Sequence, residues 1–190
     1  THIYNQVLVN GVGNEIMFLG TINKNLDVYD SYANKLASVY DGKLLQYNMG
    51  LAKIGQNEKT GVINLNGDWV VPMGNYDVHI EILVHHRVKN GFGDDLANRS
   101  LFIIKDGHGK YGALNGNGDE IIAVKYDALE RKEFVWIAEK EGKRTLLLLD
   151  GSPTGIANFS LVKGLTVFPG VNELLVCKNE NCGLINREGN

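Results

Sequence analysis

The histidines and acids between residues 79 and 95 have the spacing most suggestive of chemistry. His85 and His86 precede Asp94 and Asp95 in one largely polar stretch. An imidazole and a carboxylate there could exchange a proton in acid–base work or bind a cation together. His79 cannot join them at one ion, because six residues of strand would separate it from His85 by roughly 20 Å at about 3.3 Å per residue. Adjacent His85 and His86 would face opposite sides of a strand, so the pattern predicts one buried and one exposed imidazole rather than a chelate. For Asp94 and Asp95 the favoured reading is solvated loop acids, since a polar insertion normally stands in water.

Other motifs are weaker. Gly107, Gly109 and Gly112 fit G-x-G-x-x-G after the apolar run 101–104, but the residues that follow are turn-rich and cannot open the helix a dinucleotide needs. Those glycines are read as hairpin punctuation. Asn115, Asn117 and Asp119 alternate like calcium-loop ligands, yet Tyr126 stands where the bidentate Glu belongs, which excludes an EF-hand. No serine lies in a nucleophile-elbow sequence. Cys177 and Cys182 flank a four-residue polar turn, where opposed thiols could form a cross-strand disulfide and argue for an oxidising compartment. C-x4-C alone lacks two ligands of a zinc site.

These residues must be positioned by a chain of 190 residues with 44% hydrophobic and 22% charged content, the composition of a folded globular protein. A net charge of -3 with interspersed signs offers no field for a polyphosphate, so nucleic acid is not an expected partner. No run approaches the roughly 20 apolar residues of a membrane span, the strongest, 146–149, stopping at Asp150, so no membrane insertion is expected. Thr1 opens the chain without a basic, apolar leader, so a targeting segment is expected to be absent or removed. Only 3 prolines against 23 glycines predict frequent reversal by glycine turns and an all-β chain.

A repeat organises the pattern. Residues 59–72, Lys-Thr-Gly-Val-Ile-Asn-Leu-Asn-Gly-Asp-Trp-Val-Val-Pro, align with 110–123, Lys-Tyr-Gly-Ala-Leu-Asn-Gly-Asn-Gly-Asp-Glu-Ile-Ile-Ala. Each is followed by Tyr-Asp, at Tyr76-Asp77 and Tyr126-Asp127. Weaker copies occupy 143–151, 181–189 and 18–30. Taking Gly20, Gly61, Gly112, Thr145 and Gly183 as equivalent gives intervals of 41, 51, 33 and 38 residues, the size of a small supersecondary unit with variable loops. The long interval holds an insertion at 87–100.

On these residues, above all Tyr111-Gly112, the Asn-Gly turns and Tyr-Asp, the chain resembles the WG-repeat or KWG-repeat family from residue 14 to 190. The family's naming aromatic is replaced by Thr60, Arg144 and Cys182 in three copies. The resemblance implies a bacterial β-repeat architecture and no particular activity.

The expected fold is all-β: tandem antiparallel hairpins or three-stranded units stacked in one domain, 1–190. About five units are expected, with hairpins near 16–30, 58–77, 109–127, 142–157 and 176–190. Asn66-Gly67, Asn117-Gly118 and Asp150-Gly151 predict type I′ turns, with positive φ at both central residues. Val62, Leu65, Trp69 and Val71 are expected to share a buried surface, and 50–54 and 101–104 to add a third strand, because a lone hairpin is marginal in water. Tyr-Asp should close each unit, Asp bonding nearby backbone N–H groups. The chain stops just after a Glu-Gly turn, so the last hairpin is expected to be cut short, or completed by another chain or by the strand 4–9, which would close the array.

The function read from this pattern is a non-catalytic binding module for a protein or glycan, with no metal and no cofactor. Arg87, Phe92, Asp94 and Asp95 of the insertion are the expected contacts. The alternatives are a hydrolase using the acids and histidines of 85–95, and a structural spacer in a longer repeat protein. An extracytoplasmic compartment is favoured over the cytoplasm.

Overall fold

The computed structural model describes residues 6–12, 15–30, 32–48, 50–82, 100–164 and 173–189. They form five antiparallel sheets, with strands added in chain order. The first sheet holds β1 (Gln6–Val12), β2 (Glu15–Ile22), β3 (Asn25–Tyr29) and β4 (Lys35–Tyr40), and the second holds β5 (Lys43–Asn48), β6 (Leu51–Gln56), β7 (Lys59–Ile63) and β8 (Trp69–Gly74). The third is built from β9 (Tyr76–Ile82), β10 (Ser100–Asp106), β11 (Tyr111–Asn115) and β12 (Glu120–Tyr126). The fourth consists of β13 (Ala128–Lys132), β14 (Val135–Lys140), β15 (Lys143–Leu148) and β16 (Pro153–Ala157). The fifth has three described strands, β17 (Leu161–Gly164), β18 (Leu174–Lys178) and β19 (Asn181–Ile185). Among the described residues no helix is long and apolar enough to cross a membrane.

Two compact units divide the chain: Thr1–Gly107 with Leu114–Asp119, and His108–Ala113 with Glu120–Asn190. In the first, Leu19, Leu26, Val28 and Val39 of the first sheet pack against Ala52, Ile54 and Ile63 of the second, with Leu65 and Trp69 partly buried on the cluster. In the second, Phe134, Val135, Ile137 and Leu146 meet Leu174, Val176 and Ile185 of the fifth sheet. The middle strands are covered on both faces, and four successive residues are buried in β7 and in β14. Val62 and Val71, opposed in register and fully buried, lie outside the cluster that holds Leu65 and Trp69. The four residues expected to share one surface are therefore divided.

One turn recurs between the third and fourth strands. A residue at the end of strand three or just after it donates its N–H to the carbonyl four residues on and accepts the N–H of the third: Asn64 with Asp68 (3.0 Å) and Gly67 (3.1 Å), Asn115 with Asp119 (2.9 Å) and Gly118 (3.0 Å), Leu148 with Ser152 (2.8 Å) and Gly151 (2.9 Å). Asp30 does the same with Asn34 (3.0 Å) and Ala33 (3.1 Å). Positive φ falls on the residue after the two central ones, at Ala33 (64°), Gly67 (85°), Gly118 (89°), Gly151 (84°) and Gly189 (81°). This is a turn followed by a left-handed bulge residue, not the type I′ turn expected from Asn-Gly. The Oδ1 atoms of Asn64 and Asn115 explain the difference, since each accepts N–H groups two and four residues ahead at 2.9 to 3.0 Å and fixes the wider turn. Turns with two positive φ values occur instead between strands two and three, at Asn23-Lys24, Asn57-Glu58 and Glu141-Gly142.

The repeat expected from sequence corresponds to strands three and four of the second, third and fourth sheets and to strand three of the fifth, and is displaced in the first. Gly61, Gly112, Thr145 and Gly183 lie on third strands, whereas Gly20 lies on β2, opposite Asp27 of β3. The N-terminal strand pairs with β2 in the first sheet, with Val7 opposite Gly20 and Val9 opposite Phe18.

The bulge glycines also set the spacing between sheets. A Cβ at Gly118 would collide with the carbonyl oxygen of Val70 in β8, and one at Gly151 with that of Ile121 in β12. Gly142 shares the left-handed conformation at φ 72° but faces open space. Gly142→Ala is therefore expected to cost about 1–2 kcal/mol from backbone strain, and Gly151→Ala about 1–3 kcal/mol more from the collision. Denaturant midpoints at unchanged slope would measure both; equal losses would refute the close approach.

Candidate functional site

A hollow in the first unit gathers aromatic, apolar and polar side chains at one place. It measures about 380 Å³ and is lined by Ser38, Val39, Tyr40, Gln56, Trp69, Pro72 and Met73. Its position follows from three local features. Strand alternation on β4 sends Val39 inward and leaves Tyr40 62% exposed. Gln56, at the end of β6, donates its Nε2–H to the Tyr40 carbonyl at 2.7 Å, joining the second sheet to the first across the hollow. Trp69 opens β8 and lies over Gly61, where a Cβ would stand 2.8 Å from its ring and 2.9 Å from Met73 Sδ.

Behind this surface, Thr60 occupies the position where the repeat pattern has an aromatic and uses its hydroxyl to donate to the Tyr76 carbonyl at 2.5 Å. The Tyr76 hydroxyl in turn donates to the Pro72 carbonyl, fixing β8 where it borders the hollow; partial burial raises the Tyr76 pKa. A second hollow of about 370 Å³ shares Gln56 and is rimmed by Asp41, Lys43, Leu45, Glu58 and Lys59. Leu45, 52% exposed, rests on Gly55.

Next to the hollow lies a buried carboxylate. Asp27 is 2% exposed and accepts the Ser38 hydroxyl at 2.5 Å and the Lys35 ammonium at 2.9 Å. The Asp27 hydrogen bond holds the Lys35 pKa above its ordinary value. Ser38 donates to a carboxylate that Lys35 also neutralises, an arrangement that satisfies a buried charge rather than activating a hydroxyl for attack.

Arg87, Phe92, Asp94 and Asp95, together with His85 and His86, lie outside the described residues. His79 stands exposed on β9, opposite Ile103. Gly107 and Gly109 fall in the connection from β10, and the chain then enters a strand, not a helix. Among the described residues no three His, Cys, Asp or Glu side chains are grouped to hold a metal. Cys177 and Cys182 sit directly opposite each other on β18 and β19, Cα atoms 4.0 Å apart, joined as a disulfide.

The repeated aspartates are held differently. Asp77 accepts Lys53 Nζ at 2.6 Å, whereas Asp127 accepts both the Lys110 ammonium and the Glu141 backbone N–H, the latter at 2.6 Å. Tyr40 and Gln56 escaped the sequence reading, and Trp69 was read only as part of a buried surface, because the three come from three strands of two sheets. The outward place of Tyr40 after Ala37 and Val39 was the one available signal.

No family model matches the chain, nor does any curated protein. Among solved structures, Kluyveromyces lactis Hsv2 aligns over 92% of this chain at 12% identity and TM-score 0.35. A KlHsv2 with loop 6CD replaced by a Gly-Ser linker aligns over 96% at 9% identity and TM-score 0.36. The chain spans 59% and 64% of those two proteins.

Two measurements check these contacts. The hydrogen bond from Lys110, then that from the Glu141 N–H, lowers the Asp127 pKa below its ordinary 3.8. A depressed folded pKa stabilises above the unfolded value and is lost as pH falls through the folded one. The gap in urea midpoint between the parent and Asp127→Asn is therefore expected to be present above pH 3.8 and to shrink below it; a gap independent of pH would refute the assignment. Alkylation without reductant followed by intact mass analysis is expected to modify neither cysteine.

Proposed function

We propose that the chain is a non-catalytic β-repeat binding module of the WG-repeat kind, docking an extended polypeptide segment in the hollow beside Tyr40 and Trp69. The exposure of Tyr40 next to Trp69, Pro72 and Met73 is the observation that carries this reading. Tyr, Trp and Met are enriched where proteins recognise one another, because rigid or adaptable apolar bodies bury area at low entropic cost. Aromatic-lined grooves also receive proline-containing segments in their preformed extended helix. Gln56 supplies a polar group in the lining, with one amide hydrogen bond already spent on Tyr40.

The recurrence of one turn in all five sheets supports the repeat assignment. The insertion residues Arg87, Phe92, Asp94 and Asp95 enter the same proposal as a second contact loop. An extracytoplasmic setting belongs to it too, supported by the Cys177–Cys182 bond, since disulfides persist in oxidising compartments.

The test is selection of twelve-residue peptides from a displayed random library against the whole chain, in parallel with a panel of neutral oligosaccharides. Selected peptides are expected to bind Tyr40→Ser at least tenfold more weakly, about 1.4 kcal/mol, with a smaller loss for Gln56→Ala. Binding unaffected by both substitutions would place recognition elsewhere. Oligosaccharide binding lost in Tyr40→Ser, without peptide binding, would replace the polypeptide by a glycan.

A further inference from the structure

The second hollow of the first unit lies where the repeat leaves a position without bulk. Lys43, Gly55 and Thr60 stand directly opposite one another on β5, β6 and β7, so they share one face of the second sheet. At the repeat position of Thr60, the third sheet carries Tyr111 and the fourth carries Arg144. Arg144 has Glu139 opposite it and lays its guanidinium over the Phe159 ring, 4.8 Å from the centroid. Thr60 has Gly55 opposite it, which brings no side chain at all. A short residue beside a glycine thus takes the place of the long side chains of the next two copies, and a hollow of about 370 Å³ opens there.

The wall and rim of this hollow suit one kind of ligand. β5 bulges between Leu44 and Gln46, and the extra residue, Leu45, leans over Gly55, where a Cβ would stand 2.7 Å from Leu45 Cδ1. Leu45 keeps 52% of its surface in solvent, an apolar face that its own sheet does not cover. Around it stand two cations, Lys43 and Lys59, and two carboxylates, Asp41 and Glu58. Among the described residues none of these four side chains is held by an ion pair or a hydrogen bond. Both signs of charge are therefore available at the mouth of a space with an apolar wall.

Strand alternation separates this space from the hollow beside Tyr40. Trp69 lies over Gly61, the residue after Thr60 on β7, so Thr60 and Gly55 face the other side of the sheet. The linings of the two hollows share Gln56 and no other residue.

We propose that the second hollow binds a small zwitterion with an aromatic body, the chemical class of a free aromatic α-amino acid. Its ring would lie on Leu45 in the gap beside Thr60, at the position where the next copy has a ring of its own in Tyr111. Its carboxylate would meet Lys43 and Lys59, and its ammonium Asp41 and Glu58. A ligand with one charge would satisfy one pair of rim groups and leave the other pair to water. The volume lies at the lower end of small-molecule sites and accommodates one such molecule rather than a folded partner.

The test is calorimetric titration of the whole chain with L-phenylalanine, with phenethylamine and 3-phenylpropanoate as probes that each lack one charge. Saturable binding of one phenylalanine per chain is expected, with each single-charge probe at least about tenfold weaker. Thr60→Tyr, which copies Tyr111 and is checked for folding by circular dichroism, is expected to abolish binding. Lys43→Ser combined with Lys59→Ser changes exposed side chains alone. That variant should lose at least about tenfold in phenylalanine affinity and bind phenethylamine as the parent does. No saturation at millimolar phenylalanine, equal affinity for the three probes, or phenylalanine binding retained in a folded Thr60→Tyr or in the double lysine variant would overturn the proposal. So would loss of phenylalanine binding in Tyr40→Ser, which would move the ligand to the other hollow. Failure of peptide selection at that other hollow leaves these expectations unchanged, because neither Tyr40 nor Trp69 lines this one.

Discussion

A left-handed residue just after each third strand governs the packing of both units. Its positive φ sends the chain back with one extra residue, which fixes the register of the fourth strand against the third. Because the middle strands are buried on both faces, a slip of one residue would exchange two apolar faces at once and leave neither matched to its neighbour. The same residue is where one sheet touches the fourth strand of the sheet before it: Gly67 against Leu36, Gly118 against Val70, Gly151 against Ile121 and Gly189 against Thr154. Backbone conformation and sheet spacing thus demand glycine for two separate reasons, and Asn64 and Asn115 hold the turn by taking amides that no strand pairs.

That double demand explains which parts of the fold could be read from sequence. The second and third copies align because Asn-Gly and the strand-three glycine both survive in them. The first copy was set one strand early, because Ala33 holds the left-handed position and Asp27 the strand-three position, leaving Gly20 as the nearest glycine. First strands such as β5 and β13 were not legible, since an outer strand with one solvated face mixes charge with apolar residues and lacks a clean period. The type I′ expectation failed for a different reason: Asn-Gly is a hairpin signal only when no side chain upstream claims its amides.

The hollow was illegible because no local pattern encodes it. Tyr40, Gln56 and Trp69 belong to separate strands, and each has an ordinary place in its own strand. Only sheet stacking brings them together, and Val39 and Trp69 of the hollow take part in the apolar cluster between the two sheets. The disulfide, by contrast, was within reach of sequence reasoning, since two cysteines flanking a short turn can be opposed only if the turn is tight, as Asn179-Glu180 is.

Asp27 shows how the architecture confines chemistry to the rims. Strands covered on both faces leave little room for polar groups, and among the described residues the buried polar side chains are Asp27, Thr60 and Ser100. Asp27 takes the place that glycine holds on β7, β11 and β19, and its charge is met by Lys35 and Ser38 from β4, the outer strand. Such a pair is weak evidence for stability, because desolvation offsets most of its attraction, but it ties the register of β4 to that of β3. That register determines that Val39 points inward and Tyr40 outward. A buried carboxylate paired within its own sheet therefore decides which aromatic the first unit presents to solvent.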